Sequence, residues 1–207
     1  MIQRIPGIFK KFADRNAFVT NGKSYSYYDL NERVCSIYKA ISNLKLKQTY
    51  IGIYALNDID TYAAVIAILF SGNAYLPLSP ENPPERNRQI ISLTRLKYLL
   101  CSDTDLLAEY KNEINTLNIS CKNQDSGIFE IVPDIHPDGP AYMMFTSGST
   151  GVPKSVPVNH KNLQLFIQAF LNTGYELDEN DRFLQMFELS FDLTVITFLL
   201  PVMIGAS

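Results

Sequence analysis

AYMMFTSGSTGVPKSV, at residues 141–156, gives the clearest indication of how this chain folds. Its first six residues are almost all apolar and predict a buried strand. The remainder gathers glycines and hydroxyl residues before a single lysine, Lys154, with Pro153 directly ahead of it. Glycines permit positive φ and let backbone N–H groups converge, so such a loop after a strand is typical of a concave phosphate site. A surface turn that binds nothing is the alternative, although ordering each flexible residue costs about 1–2 kcal/mol of backbone entropy.

Predicted strands and helices alternate along the chain on both sides of this loop. Apolar runs predict strands at 49–56, 74–78, 97–102, 127–132, 141–146, 155–160 and 182–187. Amphipathic or capped stretches predict helices at 28–44, 58–72, 83–96, 103–117, 161–174 and 192–205. Asn21-Gly22 predicts a hairpin turn within residues 17–27. Strands that alternate with helices indicate an α/β fold with a mostly parallel sheet.

Composition excludes several classes of function. The 207 residues are 46% hydrophobic and 19% charged, with a net charge of −3 and no block of Lys or Arg, so neither nucleic acid nor a membrane is a predicted partner. The apolar runs 63–70 and 195–206 are shorter than the roughly 20 residues that span a bilayer. Three cysteines without paired spacing indicate reduced thiols in a cytoplasmic protein, and two histidines cannot form a multi-histidine metal site.

The loop nearly matches the phosphate loop of nucleoside triphosphatases, G-x-x-x-x-G-K-[ST]. Counting from Gly148, every anchor fits except that Pro153 stands where the second glycine belongs. Proline has no backbone N–H and a φ fixed near −65°, so it cannot replace that glycine. Residues 155–160, where that motif begins a helix, instead contain two β-branched valines and a further proline. The sequence therefore argues against that loop.

The stretch YMMFTSGSTGVPKSV closely resembles the phosphate-binding signature of the adenylate-forming superfamily, in which proline precedes the lysine. That group contains acyl- and aryl-CoA ligases, luciferases and the amino-acid adenylation domains of peptide synthetases. The resemblance implies that this loop wraps the β- and γ-phosphates of ATP. The implied phosphate-binding residues are Thr146, Ser147, Gly148, Ser149, Thr150, Gly151 and Lys154, and Thr146 is also the implied contact with Mg²⁺. A structural salt bridge is the alternative role for Lys154.

Three further segments resemble the same superfamily in the expected order. Residues 69–90 resemble its Gly-Ala-Tyr-x-Pro-Leu-Asp-Pro…Pro-x-Glu-Arg stretch, with Ser79 in place of the aspartate. Residues 23–41 resemble the Thr-Tyr-x-Glu-Leu motif, and residues 187–207 resemble the Phe-Asp-x-Ser motif. The resemblance implies that residues 1–207 are a partial N-terminal, AMP-binding domain. The C-terminal domain and the later motifs are not found in the sequence, so the chain is expected to be a fragment that cannot complete adenylation alone.

The resemblance implies a reaction in two steps. A carboxylate and MgATP give an acyl-adenylate and pyrophosphate, and the acyl group then passes to a thiol. Asp192 is expected to bind the α-ammonium of an amino acid, although it could instead cap a helix. The residues around it look like those of D-alanine–carrier-protein ligases, which implies a small amino acid as substrate and a carrier protein as a possible partner. No residue is assigned a catalytic role.

Three questions stay open at this point. His160 follows the loop where members of the superfamily often carry histidine, but it could equally be a surface residue at the start of a helix. The enzyme could be an acyl- or aryl-CoA ligase rather than an amino-acid activator. The chain could also be a nucleotide-binding or interaction module without catalysis.

Overall fold

A six-stranded sheet organises the computed structural model, which describes residues 2–120, 128–146 and 153–207. The strands are β1 Asn16–Thr20, β2 Lys23–Ser26, β3 Tyr50–Tyr54, β4 Ala74–Leu78, β5 Tyr98–Cys101, β6 Asn115–Asn118, β7 Pro140–Thr146 and β8 Lys154–Asn159. β1 and β2 form a separate hairpin, and the large sheet has the order β6-β5-β3-β4-β7-β8. Adjacent strands of this sheet are parallel, except that β8 runs antiparallel to β7. The predicted α/β fold with a mostly parallel sheet is confirmed.

Helices cover both faces of this sheet. They are α1 Ile5–Lys11, α2 Tyr27–Asn43, α3 Ile59–Phe70, α4 Pro84–Thr94, α5 Thr104–Ala108, α6 His160–Leu171 and α7 Leu200–Ile204, with a π-helical turn at Val195–Leu199. α1, α2, α3, α6 and α7 contribute to one buried cluster, whereas α4 and α5 border a second. Successive strand residues alternate between the clusters: Tyr75 belongs to the first and Leu76 to the second. The strands are therefore buried on both faces, as parallel sheets require.

Local sequence signals explain several of these elements. Asn21 and Gly22 both have positive φ, 52° and 72°, which suits the two-residue turn between β1 and β2. Ser26 and Asp29 form a reciprocal capping box at the start of α2. Asp58 accepts a hydrogen bond from the Thr61 N–H at 2.7 Å and so begins α3 where the sequence predicts.

Three predicted elements are wrong. The helix expected over 103–117 ends at Ala108, and Asn115–Asn118 instead forms β6 beside β5. No strand forms within 128–132 or 182–187. The backbone carbonyl of Phe129 accepts a bond from the Cys35 thiol at 3.4 Å, so this segment runs over α2 rather than beside a strand.

The last residues of the chain are tied to the start of α2. The Tyr27 hydroxyl donates to the carbonyl of Ala206, and Phe183 N–H donates to the carbonyl of Ser207 at 2.7 Å. Burial raises the pKa of Tyr27, so this hydroxyl keeps its proton. These bonds fix the start of the irregular segment 182–193, which carries part of the candidate site, and the end of the helix that follows it.

Candidate functional site

A cavity of about 630 Å³ opens at the carboxyl ends of β4 and β7. These strands are parallel with Tyr75 beside Tyr142, so they end at the same edge of the sheet. The cavity lies between the start of α4, the strand β8 and the segment that leads to the π-helical turn. Its polar lining residues are Ser79, Glu81, Asn82, Arg86, Tyr142, Thr146, Glu188, Ser190 and Asp192. A cavity of this size and mixed lining is typical of a small-molecule site.

Thr146, the first residue of the predicted phosphate loop, lines this cavity. It is the last residue of β7, it is exposed, and its backbone pairs with Lys154 across the β7–β8 ladder. The predicted phosphate-binding residues Ser147, Gly148, Ser149, Thr150 and Gly151 lie outside the described residues. The structure therefore places the entry of the loop at the cavity and leaves those five assignments as predictions.

Lys154 is exposed and is not among the residues that line the cavity. Within the described parts of the chain it makes no ion pair, so the alternative of a structural salt bridge finds no support there. Its role toward phosphate stays a prediction.

Asp192 lines the cavity together with Thr146. The alternative of helix capping is wrong, because the N-cap of the following π-helical turn is Thr194 and no side chain caps it. Asp192 is exposed toward the cavity, so its carboxylate does not need a partner to compensate for burial. Burial, and after it the negative charge of Asp192, raise the pKa of Tyr142. Asp192 is thus an available anion beside a neutral phenol.

His160 lies away from this cavity. It is the first residue of α6, its side chain is buried, and it lines a separate cavity of about 80 Å³ with Gln3, Pro137 and Gln164. Neither ring nitrogen has a hydrogen-bond partner among the described residues, and burial lowers the pKa of His160 to about 4. The expectation of a surface residue is wrong, and the structure does not bring His160 to the site.

Sequence reasoning missed three charged residues of the cavity, Glu81, Arg86 and Glu188. Arg86 belongs to a family motif, but nothing in the local pattern indicates that it faces the same space as Thr146. One oxygen of Glu188 is buried without a partner among the described residues, while the other accepts a bond from the Ser190 hydroxyl at 3.1 Å.

Other kinds of site find little support in the described residues. No group of three or more His, Cys, Asp or Glu side chains could hold a metal there. Cys35 and Cys101 are buried free thiols, as predicted, and burial raises the pKa of both, while Cys121 is outside the described residues. None of the helices described is long and apolar enough to cross a membrane.

Comparison with known proteins gives the same assignment over nearly the whole chain. Residues 8–207 match the family described as "AMP-binding enzyme". A plipastatin synthase protein of Bacillus subtilis (strain 168) is 32% identical over 213 residues, which cover 99% of this chain and 6% of that protein. The D-alanine--D-alanyl carrier protein ligase of Lactococcus lactis subsp. lactis (strain IL1403) is 30% identical over 203 residues, which cover 95% of this chain and 40% of the ligase.

Solved structures show the same fold. The N-terminal subdomain of Klebsiella oxytoca NpsA, in complex with 3-hydroxyanthranilyl-AMSN, superposes with a TM-score of 0.79 at 24% identity and covers 97% of this chain and 51% of that one. The nonribosomal peptide synthetase FmoA3 superposes with a TM-score of 0.88 at 23% identity over 100% of this chain and 23% of its own. The chain therefore spans about half or less of each of these four proteins.

Proposed function

The chain belongs to the AMP-binding enzyme family, and from this premise we propose that it binds ATP and a small amino acid for adenylation. In the proposed reaction a carboxylate oxygen of the acid attacks the α-phosphorus of ATP and the bond to pyrophosphate breaks. The products are an acyl-adenylate and pyrophosphate, and the acyl group then passes to the thiol of a carrier protein. Because the chain spans 40% of the length of the ligase relative, this complete reaction is proposed for the enzyme as a whole.

One observation carries the proposal: Thr146 and Asp192 line the same cavity. Thr146 begins the stretch that resembles a phosphate loop, and Asp192 is an exposed carboxylate suited to an ammonium group. Attraction between unit charges about 4 Å apart is about 1 kcal/mol in water and about 4 kcal/mol at an effective dielectric constant of 20. If the effective dielectric constant at the cavity wall lies between these two values, the attraction favours binding of an amino acid over binding of the same acid without its amine.

The attacking carboxylate and the triphosphate are both anionic, so the enzyme must offset their repulsion and hold them in line. Mg²⁺ prefers oxygen ligands and in nucleotide sites is bound largely through phosphates and water. The exposed hydroxyl of Thr146 fits that role as a single protein ligand. Mg²⁺, when bound, would supply positive charge to the departing pyrophosphate.

The relatives support an amino acid as the substrate and a carrier protein as the acceptor. One of them is by name a D-alanine--D-alanyl carrier protein ligase, and it matches 95% of this chain. D-alanine and propionate form a useful pair of test acids, because they differ only in the amine. The rival assignment to acyl- or aryl-CoA ligases predicts no preference for the amine.

ATP–pyrophosphate exchange by the complete enzyme tests the proposal. We expect exchange with D-alanine or another small amino acid, and none with propionate. Equal exchange with amine-free acids would favour the CoA-ligase assignment, and replacement of Asp192 by Ala would then leave the preference among acids unchanged. Absence of exchange with every acid would favour a module without catalysis.

A further inference from the structure

Arg86 is a half-buried arginine of the large cavity that has no partner within residues 2–120, 128–146 and 153–207. Its side chain makes no hydrogen bond, ion pair or aromatic contact in these parts of the chain. The other half-buried arginines are engaged: Arg33 pairs with Asp60 at 3.1 Å and Arg88 pairs with Glu113 at 2.8 Å. A guanidinium carries five N–H donors and stays charged at any physiological pH, so a half-buried one without a partner is available to a ligand.

The backbone under Arg86 is fixed by its neighbour Asn87, which is fully buried. The Asn87 amide donates to the carbonyl of Ser79 at 2.9 Å, and its own oxygen accepts from the Asn82 amide at 3.0 Å. The hydroxyl of Ser79 in turn accepts from the N–H of Glu81 at 3.1 Å. This network joins the end of β4 to the first turn of α4, so Arg86 extends from a rigid support.

The charge of the described cavity wall makes this arginine important. Glu81, Glu188 and Asp192 contribute carboxylates to the lining, and Arg86 is the cation among the lining residues that the structure describes. Lys154 lies outside this wall. An anionic ligand that enters here meets three negative groups, and Arg86 is placed to offset them. A planar guanidinium binds either a carboxylate or a phosphate through two parallel hydrogen bonds.

We propose that Arg86 binds an anionic group of the reacting pair, either the carboxylate of the acid or a phosphate of ATP. This inference rests on the proposed function, since that function brings both groups into the cavity. It adds a contact from α4, an element in which the sequence predicts no site residue. Carboxylate and phosphate share the chemistry that a guanidinium recognises, so the experiment has a separate arm for each.

Isothermal titration of the complete enzyme that contains these residues, with MgATP, D-alanine and adenosine, tests the proposal. Arg86→Gln removes both the positive charge and the planar guanidinium. Arg86→Lys keeps the positive charge but not the two parallel hydrogen bonds of the guanidinium. Arg88→Gln is the matched control, because it removes the same charge from the same helix but lies outside the cavity.

We expect Arg86→Gln to raise the Kd for either MgATP or D-alanine about tenfold or more, as for the loss of a charge-assisted hydrogen bond. The Kd of Arg86→Lys should lie between those of the unaltered protein and of Arg86→Gln. The Kd for adenosine should not change in any of the variants.

The two proposals fail in different ways. If the unaltered enzyme binds MgATP or D-alanine and both glutamine variants bind as it does, Arg86 has no such role and the proposed function stands. If Arg86→Gln weakens adenosine as much as the anionic probes, the residue supports the fold and the assignment is overturned. If the unaltered complete enzyme binds neither MgATP nor D-alanine, the proposed function itself is refuted. Thermal unfolding of each variant shows whether it folds, and Arg86→Lys replaces Arg86→Gln in the comparison if the latter does not.

Discussion

Tyr142 and Asp192 share one cavity wall, and the charge of Asp192 adds to burial in raising the pKa of the Tyr142 hydroxyl. Tyr142 lies on β7, directly before the predicted phosphate loop, whereas Asp192 belongs to the irregular segment before the π-helical turn. The fold therefore brings an ionised carboxylate and a neutral phenol together from distant parts of the sequence. The carboxylate of Asp192 is exposed to the cavity, so it can attract a cationic group of a ligand.

Asp192→Asn is expected to weaken binding of D-alanine and leave binding of propionate unchanged. Loss of a charged hydrogen bond corresponds to about 1.5–3 kcal/mol, which raises the Kd of D-alanine by roughly tenfold or more. Titration calorimetry measures both acids in the presence of MgATP. Asp105→Asn, an exposed change on α5, is the control of equal charge. Equal loss for both acids would show that Asp192 does not recognise the amine.

The same variant is expected to lower the pKa of Tyr142. Removal of a negative charge makes the phenolate less unfavourable, so the hydroxyl loses its proton at a lower pH. Carbon-13 NMR of labelled tyrosine follows this titration directly. An unchanged Tyr142 titration would indicate that the two side chains do not interact in solution.

His160 is expected to make the protein less stable as the pH falls below 6.5. Burial lowers its pKa from 6.5 to about 4, so between these values the unfolded chain binds a proton that the folded protein does not. The contribution of the neutral His160 to the free energy of unfolding is fully present above pH 6.5. It declines by about 3 kcal/mol as the pH approaches 4. Urea unfolding at several pH values measures it. His160→Gln should remove this part of the decline, and the control His136→Gln should retain it.

Much of the fold could be predicted because its signals are local. Asn21-Gly22 fixes its own turn, and the caps at Ser26 and Asp58 fix the starts of two helices. The wrong predictions concern segments whose secondary structure depends on contacts with residues distant in the sequence. Asn115–Asn118 continues a helical pattern, but pairing with β5 makes it a strand. Residues 128–132 have a strand pattern, but the Phe129 carbonyl accepts a bond from Cys35 on α2 and Ile131 packs into the core.

The candidate site was predictable only where a motif names the residue. Thr146 and Asp192 belong to motifs, and the structure brings both to one cavity. Arg86 also belongs to a motif, but its access to the cavity depends on the turn between β4 and α4, which the hydrogen bonds of Asn87 determine. The burial of His160 depends likewise on the packing of α6, which a one-dimensional pattern does not contain.

Gly205→Ala is expected to destabilise the protein by about 2 kcal/mol or more, because two costs combine. Gly205 has a φ of +84°, which disfavours any side chain, and an added Cβ would lie 2.3 Å from Cε2 of the buried Phe12 ring. Gly174→Ala is the matched control, since Gly174 has a φ of +95° but nothing within 4 Å of an added Cβ. Its cost should be the backbone strain alone, about 1 kcal/mol. Urea unfolding compares the two, and equal costs would mean that Phe12 moves aside freely.

Asn87→Ala is expected to affect both stability and the site. It leaves the buried carbonyl of Ser79 without the Asn87 donor and releases the Asn82 amide, so we expect a loss of about 2–4 kcal/mol. Asn82→Ala is the milder control, because it breaks one of these two bonds and leaves the other in place. Urea unfolding should therefore rank Asn87→Ala below Asn82→Ala in stability. If Asn87 also holds the support of Arg86, the folded Asn87→Ala protein should bind the ligand of Arg86 more weakly than Asn82→Ala does. Wild-type affinity in a destabilised Asn87→Ala protein would separate the two roles, because the turn would then serve folding without positioning Arg86.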